Sequence, residues 1–263
     1  MVPVIKTTAS RAHHKIDLSL RLQFSKKPEG AKHTHPHVLW SPLHYEPNYA
    51  YTLIVWLHGL GNDERQLMRI MPALSARNYV AIAPQGVTRI EQTCSPELLS
   101  NPFDRCQQIL AGHKIKTEYD WPKTSEGIWE AEQRIFDCVS FAKQRCNIAD
   151  HRVFLAGHGS GGTMAIRLAL QFPDQFAGVI SLNGLIPGDF RPLSRWTIAR
   201  QLPLFLAFSR DVSNGSSEAT CKAIELLHFA GCPTALKEYD TSHEIIPEML
   251  RDANNWIMQT IGC

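Results

Sequence analysis

Residues 153–162 read VFLAGHGSGG, and this stretch decides the fold. Its first four residues are apolar, as expected for a strand that is buried on both faces of a sheet. The segment from Ser160 to Gln171 has apolar residues at three- and four-residue spacing, which predicts an amphipathic helix. The chain is therefore predicted to turn sharply from a strand into a helix at Gly159.

Gly157 and Gly161 flank this turn at equal distances from Gly159. In an elbow of pattern G-x-S-x-G, the central serine lies at a strained positive-φ point, and the flanking glycines let strand and helix pack closely. Here the central residue is a glycine without a side chain. The nearest hydroxyl is that of Ser160, one residue late, and centring the motif there would put His158 where a small residue is needed. The pattern indicates an elbow that lacks its nucleophile.

Short apolar runs alternate with helical patterns from about residue 50 to the end, which predicts a mostly parallel sheet with helices on both faces. Two weaker runs, Ile16 to Phe24 and Val38 to Tyr45, are interpreted as antiparallel edge strands. The predicted core strands are Thr52 to His58, Tyr79 to Pro84, Arg152 to Gly157, Gly178 to Leu182, Pro203 to Phe208 and Ala235 to Tyr239. The predicted helices are Asp63 to Arg77, Glu126 to Arg145, Ser160 to Gln171, Ser216 to Ala230 and Ile246 to Ile261.

The whole chain, residues 1–263, is expected to form one domain, because α/β folds routinely exceed the typical domain length. Residues 1–49 would supply the edge strands and a loop. The periodic signal fades in residues 85–125, which are predicted to form a cap-like insertion at the carboxyl edge of the sheet, where ligands bind in open α/β folds. The alternative is a solvated excursion with one short helix near residues 96–109. Trp121 would form an aromatic wall beside the site.

Composition narrows the classes of partner. The net charge of +2, with both signs interspersed, gives no basis for binding nucleic acid or an anionic membrane. Residues 1–10 lack the apolar segment of a signal peptide, and no later run reaches the length of a membrane span. Seven cysteines without a C-x-x-C pair indicate neither a disulfide framework nor a zinc site, so a cytoplasmic location is expected. The oligomeric state stays open.

No cofactor and no metal are predicted. The alternating histidines His33, His35 and His37 would face one way on an extended segment, but they lack neighbouring cysteine or carboxylate ligands. The expected partner is instead a small molecule. This expectation comes from three motifs, of which the elbow described above is one.

At these motifs the chain resembles the phospholipase/carboxylesterase family of α/β-hydrolases, which includes acyl-protein thioesterases. Residues 57–63, LHGLGND, are similar to the family's L-H-G-x-G segment, and residues 155–162 with the MAIRLA that follows at 164–169 resemble its elbow and helix. Residues 239–244, YDTSHE, resemble the segment that bears the catalytic histidine. Three motifs in order are far more specific than one, and the similarity covers roughly residues 50–261. The resemblance implies the α/β-hydrolase fold and an acyl or carboxylic ester as substrate.

The resemblance also implies roles for individual residues. His243 matches the general base, which takes a proton from the nucleophile and returns it to the leaving group. Asp211 matches the acid that orients this histidine, in a segment that is one residue shorter than the family's. The backbone amides of Leu60 and Ser160 match the two donors of the oxyanion hole.

Glycine cannot form an acyl-enzyme, so Gly159 predicts a degenerate member that binds an ester or acyl ligand with little turnover. One alternative is an active carboxylic ester hydrolase that uses Ser160 or a water activated by His243. Another is a non-catalytic interaction protein that keeps the fold for its surface. His158, beside the missing nucleophile, is expected to be a packed side chain, and a substitute base or ligand is its second interpretation.

Overall fold

The computed structural model of the chain describes residues 22–24, 35–90, 118–187, 196–210, 231–262 and, in addition, 224, 225, 227 and 228. Its strands are β1 Leu22–Phe24, β2 His37–Trp40, β3 Tyr51–Leu57, β4 Tyr79–Pro84, β5 Thr88–Ile90, β6 Glu118–Asp120, β7 Ile148–His158, β8 Gly178–Leu182, β9 Leu204–Ser209 and β10 Thr234–Tyr239. Its α-helices are α1 Leu67–Leu74, α2 Ser125–Arg145, α3 Ser160–Gln171, α4 Trp196–Ala199 and α5 Pro247–Gly262.

A mixed sheet forms the centre of the described residues, with strand order β1-β2-β4-β3-β7-β8-β9-β10. All neighbours from β4 to β10 are parallel. Strand β2 runs antiparallel to β4, and β1 runs antiparallel to β2. The predicted parallel core and two antiparallel strands at one edge of it are thereby confirmed, with residues 16–21 of the first predicted strand outside the described residues.

Strand β3 shows how the two layers of helices arise from the sequence. Leu53, Val55 and Leu57 belong to a core that also contains buried residues of α2 and α3. Ile54 and Trp56 point to the opposite face and belong to a core with residues of α1 and α5. A strand that is covered on both faces reads as a continuous apolar run, as this one does. Helices therefore lie on both faces of the sheet, as predicted.

The predicted helix Asp63–Arg77 is shorter in the structure, where a 3₁₀ turn precedes α1. Asp63 caps this turn, because its side chain accepts a hydrogen bond from the Arg65 amide at 3.0 Å. The helix ends before Ser75, whose backbone is extended. The Ser75 hydroxyl accepts a hydrogen bond from the Asn78 amide at 3.2 Å, which favours a turn over another helical turn.

Two further predicted boundaries also change. The edge strand predicted for Val38–Tyr45 ends at Trp40, shortly before Pro42, which has no amide hydrogen for a sheet ladder. The predicted helix Ser216–Ala230 lies mostly outside the described residues, and the four residues of it that are described are helical.

The insertion predicted as a cap is described only at its two ends. Strand β5 pairs antiparallel with β6, and Tyr119 of β6 forms a bridge with Asn62 in the loop after β3. Residues 91–117 lie outside the described residues, as does most of residues 1–34. The cap and the extent of the domain, residues 1–263, therefore stay predictions.

Gly161 sets the distance between α3 and β3. A methyl group on Gly161 would collide with the carbonyl oxygens of Leu57 and His58, which are backbone atoms that cannot turn aside. We expect Gly161→Ala to lower the free energy of unfolding by about 3 kcal/mol, the upper range for overpacking, as measured by urea denaturation.

Gly262→Ala is the matched control, because its new methyl group would meet no described atom within 4 Å apart from the adjoining backbone of its own helix. Its free energy of unfolding should stay within about 0.5 kcal/mol of the wild-type value. Equal stabilities of the two variants would contradict the close packing of α3 on β3.

Candidate functional site

The carboxyl ends of the parallel strands meet at one edge of the sheet, the edge where ligands bind in open α/β folds. A cavity of about 690 Å³ opens there. Its lining includes four residues that the sequence predicted for the site: Leu60, Gly159, Ser160 and His243. The structure thus brings residues from three separate motifs to one cavity.

The turn from β7 into α3 is made at Gly159, between His158 and Ser160. Gly159 has φ 53° and ψ −120°, the strained positive-φ conformation of the central residue of an elbow. Its amide donates a hydrogen bond to the carbonyl of Leu182 at 2.8 Å, and its carbonyl accepts one from the Thr163 amide at 3.0 Å. The elbow conformation predicted from the glycine spacing is confirmed.

The imidazole of His243 faces this turn. A Cβ atom built on Gly159 would lie 3.7 Å from Nε2 of His243, and, apart from the adjoining chain, it would meet no other described atom within 4 Å. A serine hydroxyl would reach one bond further from Cβ, so it would come within hydrogen-bond distance of Nε2. A gap the size of a small polar side chain therefore separates Gly159 from the ring of His243.

His158 holds the backbone of His243. Its Nε2 lies 2.9 Å from the His243 carbonyl oxygen, and because a carbonyl only accepts, this nitrogen carries the proton. Its Nδ1 is buried, has no hydrogen-bond partner among the described residues, and would lie 2.6 Å from a Cβ on Gly59. Burial lowers the pKa of His158, the bond to the carbonyl raises it, and the nearby His243 lowers it again. The expectation of a packed side chain is confirmed.

His58 fixes the loop that carries Leu60. Its Nδ1 lies 2.9 Å from the Gly59 carbonyl oxygen, and its Nε2 accepts a hydrogen bond from the Gly86 amide at 2.9 Å. These two partners fit only a neutral imidazole that is protonated at Nδ1. The His58 carbonyl in turn accepts a hydrogen bond from Nε1 of Trp121 at 2.8 Å. Trp121 is buried in the cavity wall, which confirms the predicted aromatic wall.

The two residues whose amides are predicted to form an oxyanion hole line the cavity from two different elements. Leu60 is 63% exposed in the loop after β3. Ser160 is the first residue of α3, where backbone amides have no acceptor within the helix. The Ser160 hydroxyl, in contrast, is buried without a hydrogen-bond partner in the described part of the chain, so it is not bonded to His243.

Asp211 lies outside the described residues, so its role stays a prediction. The last described residue before it, Arg210, follows β9 at the carboxyl edge of the sheet. The Arg210 amide donates a hydrogen bond to the Tyr239 carbonyl at 2.9 Å, which extends the pairing of β9 and β10 toward the loop of His243.

Sequence reasoning missed Asn183, which lines the cavity directly after β8. It has φ 56°, and its Oδ1 accepts hydrogen bonds from the amide and the hydroxyl of Ser209 at 2.7 and 3.0 Å. The signal was available, because asparagine adopts positive φ more readily than most residues and follows a buried strand here.

It also missed the contact that anchors the loop of His243. The Tyr239 hydroxyl donates a hydrogen bond to Asp252 at 2.7 Å, and the Lys237 ammonium lies 2.9 Å from the same carboxylate. This group joins the end of β10 to α5, on either side of the loop.

The described residues contain neither a membrane-length apolar helix nor a metal-binding group. No helix among them is long and apolar enough to cross a membrane. No three of their histidine, cysteine, aspartate or glutamate side chains are grouped to hold a metal ion, and His33 of the histidine-rich segment lies outside them.

Comparison with known families identifies this arrangement. The model of the phospholipase/carboxylesterase family matches residues 46–261, so the chain belongs to that family. Its fold is the α/β-hydrolase fold, as the three motifs implied.

Solved structures agree on the fold. A carboxylesterase from Mesorhizobium loti has a TM-score of 0.63 at 12% identity, over 90% of this chain and 98% of that one. Acyl-protein thioesterase 2 of Zea mays has a TM-score of 0.59 at 17% identity, over 86% and 99% of the two chains. SOBER1 of Arabidopsis thaliana has a TM-score of 0.58 at 20% identity, over 81% and 100%.

His58 makes the stability of the fold depend on pH. Burial lowers the pKa of its imidazole, against opposing effects from its bond to Gly59 and from the carboxylates of Asp63 and Asp120. The unfolded chain takes up this proton near the ordinary histidine pKa of 6.5, whereas the folded chain does so only at lower pH. The stabilisation is therefore fully present above pH 6.5 and is lost as the pH falls below that value.

We expect the free energy of unfolding to decrease from about pH 7 to about pH 5, as measured by urea denaturation across the range. His58→Gln should weaken this pH dependence, because glutamine does not titrate there. His151→Gln is the control. It removes an exposed histidine near the start of β7 and should keep the wild-type dependence of stability on pH. A wild-type profile in His58→Gln would contradict the assignment to His58.

Proposed function

We propose that this chain binds an ester or acyl ligand in the cavity and turns it over little or not at all. The observation that carries the proposal is the gap between Gly159 and Nε2 of His243. The elbow conformation, the ring facing it and the cavity are present, while the atom that would attack the ligand is not. We infer that Gly159 occupies the nucleophile position of the family.

In this proposal the remaining residues keep the roles that the family implies. His243 is the general base, and Asp211 orients it. The amides of Leu60 and Ser160 donate hydrogen bonds to the carbonyl oxygen of the ligand. Backbone donors do not depend on the side chain at position 159, so ligand polarisation persists without a nucleophile.

The cavity wall favours an acyl group. Its lining includes large apolar side chains, namely Trp121, Met164, Leu185, Phe208 and Leu236. It also includes the charged residues Lys123, Arg210 and Glu238. An apolar chain can lie along such a wall, and each buried methylene contributes about 0.8 kcal/mol to binding. We therefore propose a ligand with an apolar acyl chain and a polar carbonyl end.

Low turnover follows from the missing hydroxyl, because glycine cannot form an acyl-enzyme. A water molecule activated by His243 is the second candidate, and the open space beside Nε2 favours it. Loss of a triad serine leaves about a thousand- to ten-thousand-fold acceleration over water in a related chemistry, so such hydrolysis would be slow.

Attack by Ser160 and a purely structural role for the fold receive less support. The Ser160 hydroxyl is buried without a hydrogen-bond partner among the described residues, and a nucleophile needs its base within hydrogen-bond distance. A protein kept only for its surface has no need of an open cavity at the carboxyl edge.

Ligand binding can be tested without turnover. Isothermal titration calorimetry with the N-methyl amide of decanoic acid, an ester analogue that resists hydrolysis, should show one site. Leu236→Lys puts a charge in the cavity wall and should weaken binding about tenfold.

Met258→Lys is the matched control, because Met258 is as exposed as Leu236 but lies on α5, outside the cavity lining. Its affinity should equal that of the wild type. Absence of binding, or equal weakening in both variants, would overturn the proposal.

Restoring the hydroxyl tests the assignment of Gly159. Gly159→Ser should raise hydrolysis of a p-nitrophenyl ester by about a thousandfold, because the new hydroxyl faces Nε2 of His243. Gly159→Ala, which imposes the same backbone strain without a hydroxyl, should give no gain. The gain should also disappear when His243→Ala is added. A folded Gly159→Ser protein that gains no activity would contradict the proposed roles of His243 and Asp211.

A further inference from the structure

We propose that His158 is a positioning residue, which holds the loop of His243 in the conformation that aims its imidazole at the elbow. The proposal rests on the proposed function, because it assigns a support to the base of that same site. His158 follows Gly157 in the elbow motif and is the residue immediately before Gly159.

The ring of His158 lies between the loops of the other two motifs. On one side its Nε2–H donates to the carbonyl of His243, with the two ring centroids 5.3 Å apart. On the other side its Nδ1 lies against Gly59, in the loop that carries Leu60. One side chain at the elbow therefore contacts both the loop of the base and the loop of an oxyanion donor.

The hydrogen bond has no substitute within the loop. It is the one hydrogen bond that residues 242–245 make with any other described residue. The hydrogen bond between Tyr239 and Asp252 joins residues on either side of this loop. It therefore fixes the positions of the two ends of the loop but not the conformation of its middle. The orientation of the His243 backbone thus depends on His158.

His243 needs this support because its backbone is strained. Its φ of 55° is left-handed, a conformation that costs roughly 1 kcal/mol or more for a residue with a side chain. The carbonyl of a residue in this conformation points away from its usual direction, and here it points at Nε2 of His158. The donated bond offsets the strain and fixes the peptide from which the imidazole projects.

The same geometry excludes His158 as a substitute base. The nitrogen that faces the loop carries the proton, and the other nitrogen is buried against Gly59 without a partner among the described residues. Protonation of that nitrogen would bury a charge beside the ring of His243, in agreement with the lowered pKa of His158. The imidazole acts as a neutral donor.

The test compares two replacements of similar size. His158→Gln keeps an N–H near the position of Nε2, whereas His158→Leu removes it. In the Gly159→Ser protein, we expect His158→Leu to lower kcat about a hundredfold with little change in KM, because the base is displaced and the ligand site is not. His158→Gln should restore most of kcat. His151→Leu, a loss of histidine at the exposed start of β7, should leave both constants unchanged.

A second measurement is independent of turnover. In the otherwise wild-type chain, His158→Leu should speed amide hydrogen exchange in residues 240–246 about tenfold or more, while His158→Gln should not. Urea denaturation identifies any variant that fails to fold.

The outcomes separate the two proposals. If Gly159→Ser is inactive but the exchange pattern is as expected, the function proposed for the site fails and the support by His158 stands. If His158→Leu changes neither kcat nor exchange, or if leucine and glutamine impair the loop equally, the positioning role is overturned.

Discussion

The close approach of α3 to β3 is the constraint on which the rest of the site depends. Gly157 and Gly161 have no room for a side chain. A Cβ on Gly157 would overlap the backbone at the start of α3, and a Cβ on Gly161 would overlap the carbonyl groups at the end of β3. The helix must therefore leave β7 within a single residue, and Gly159 takes a positive φ to allow it. This turn directs the amide end of α3 into the cavity, whatever residue stands at its centre. A glycine at the centre of the turn is thus compatible with an intact elbow.

Two histidines, His58 and His158, connect the loops around this turn. His58 joins the loop of Leu60 to Gly86 and, through its carbonyl, to Trp121. His158 joins the elbow to the backbone of His243. Both imidazoles are neutral donors or acceptors whose pKa is lowered by burial. The frame of the site is therefore built from neutral hydrogen bonds, none of which involves a side chain at residue 159.

The parts of the fold that could be predicted from the sequence are those with a local cause. Strands β4 and β8 and helix α3 have the predicted bounds. The two strands are continuous apolar runs bounded by proline or glycine, and the helix has regular apolar spacing after a glycine turn. The predicted first helix was too long, since the Ser75 hydroxyl competes for backbone donors in a way that apolar spacing does not register. The hydrogen bond between His158 and His243 was missed for another reason. It joins residues 85 positions apart, so it exists only once β7 and the loop after β10 lie at the same edge of the sheet.

Covalent labelling tests most directly whether the site lacks a nucleophile. A fluorophosphonate forms a stable adduct with a serine that is activated by a neighbouring base. Incubated with the wild-type chain and followed by intact-mass spectrometry, it should leave the mass unchanged, while Gly159→Ser serves as the positive control and should gain one adduct at residue 159. An adduct on Ser160 of the wild-type chain, abolished in His243→Ala, would contradict the account and identify a working enzyme with a displaced serine.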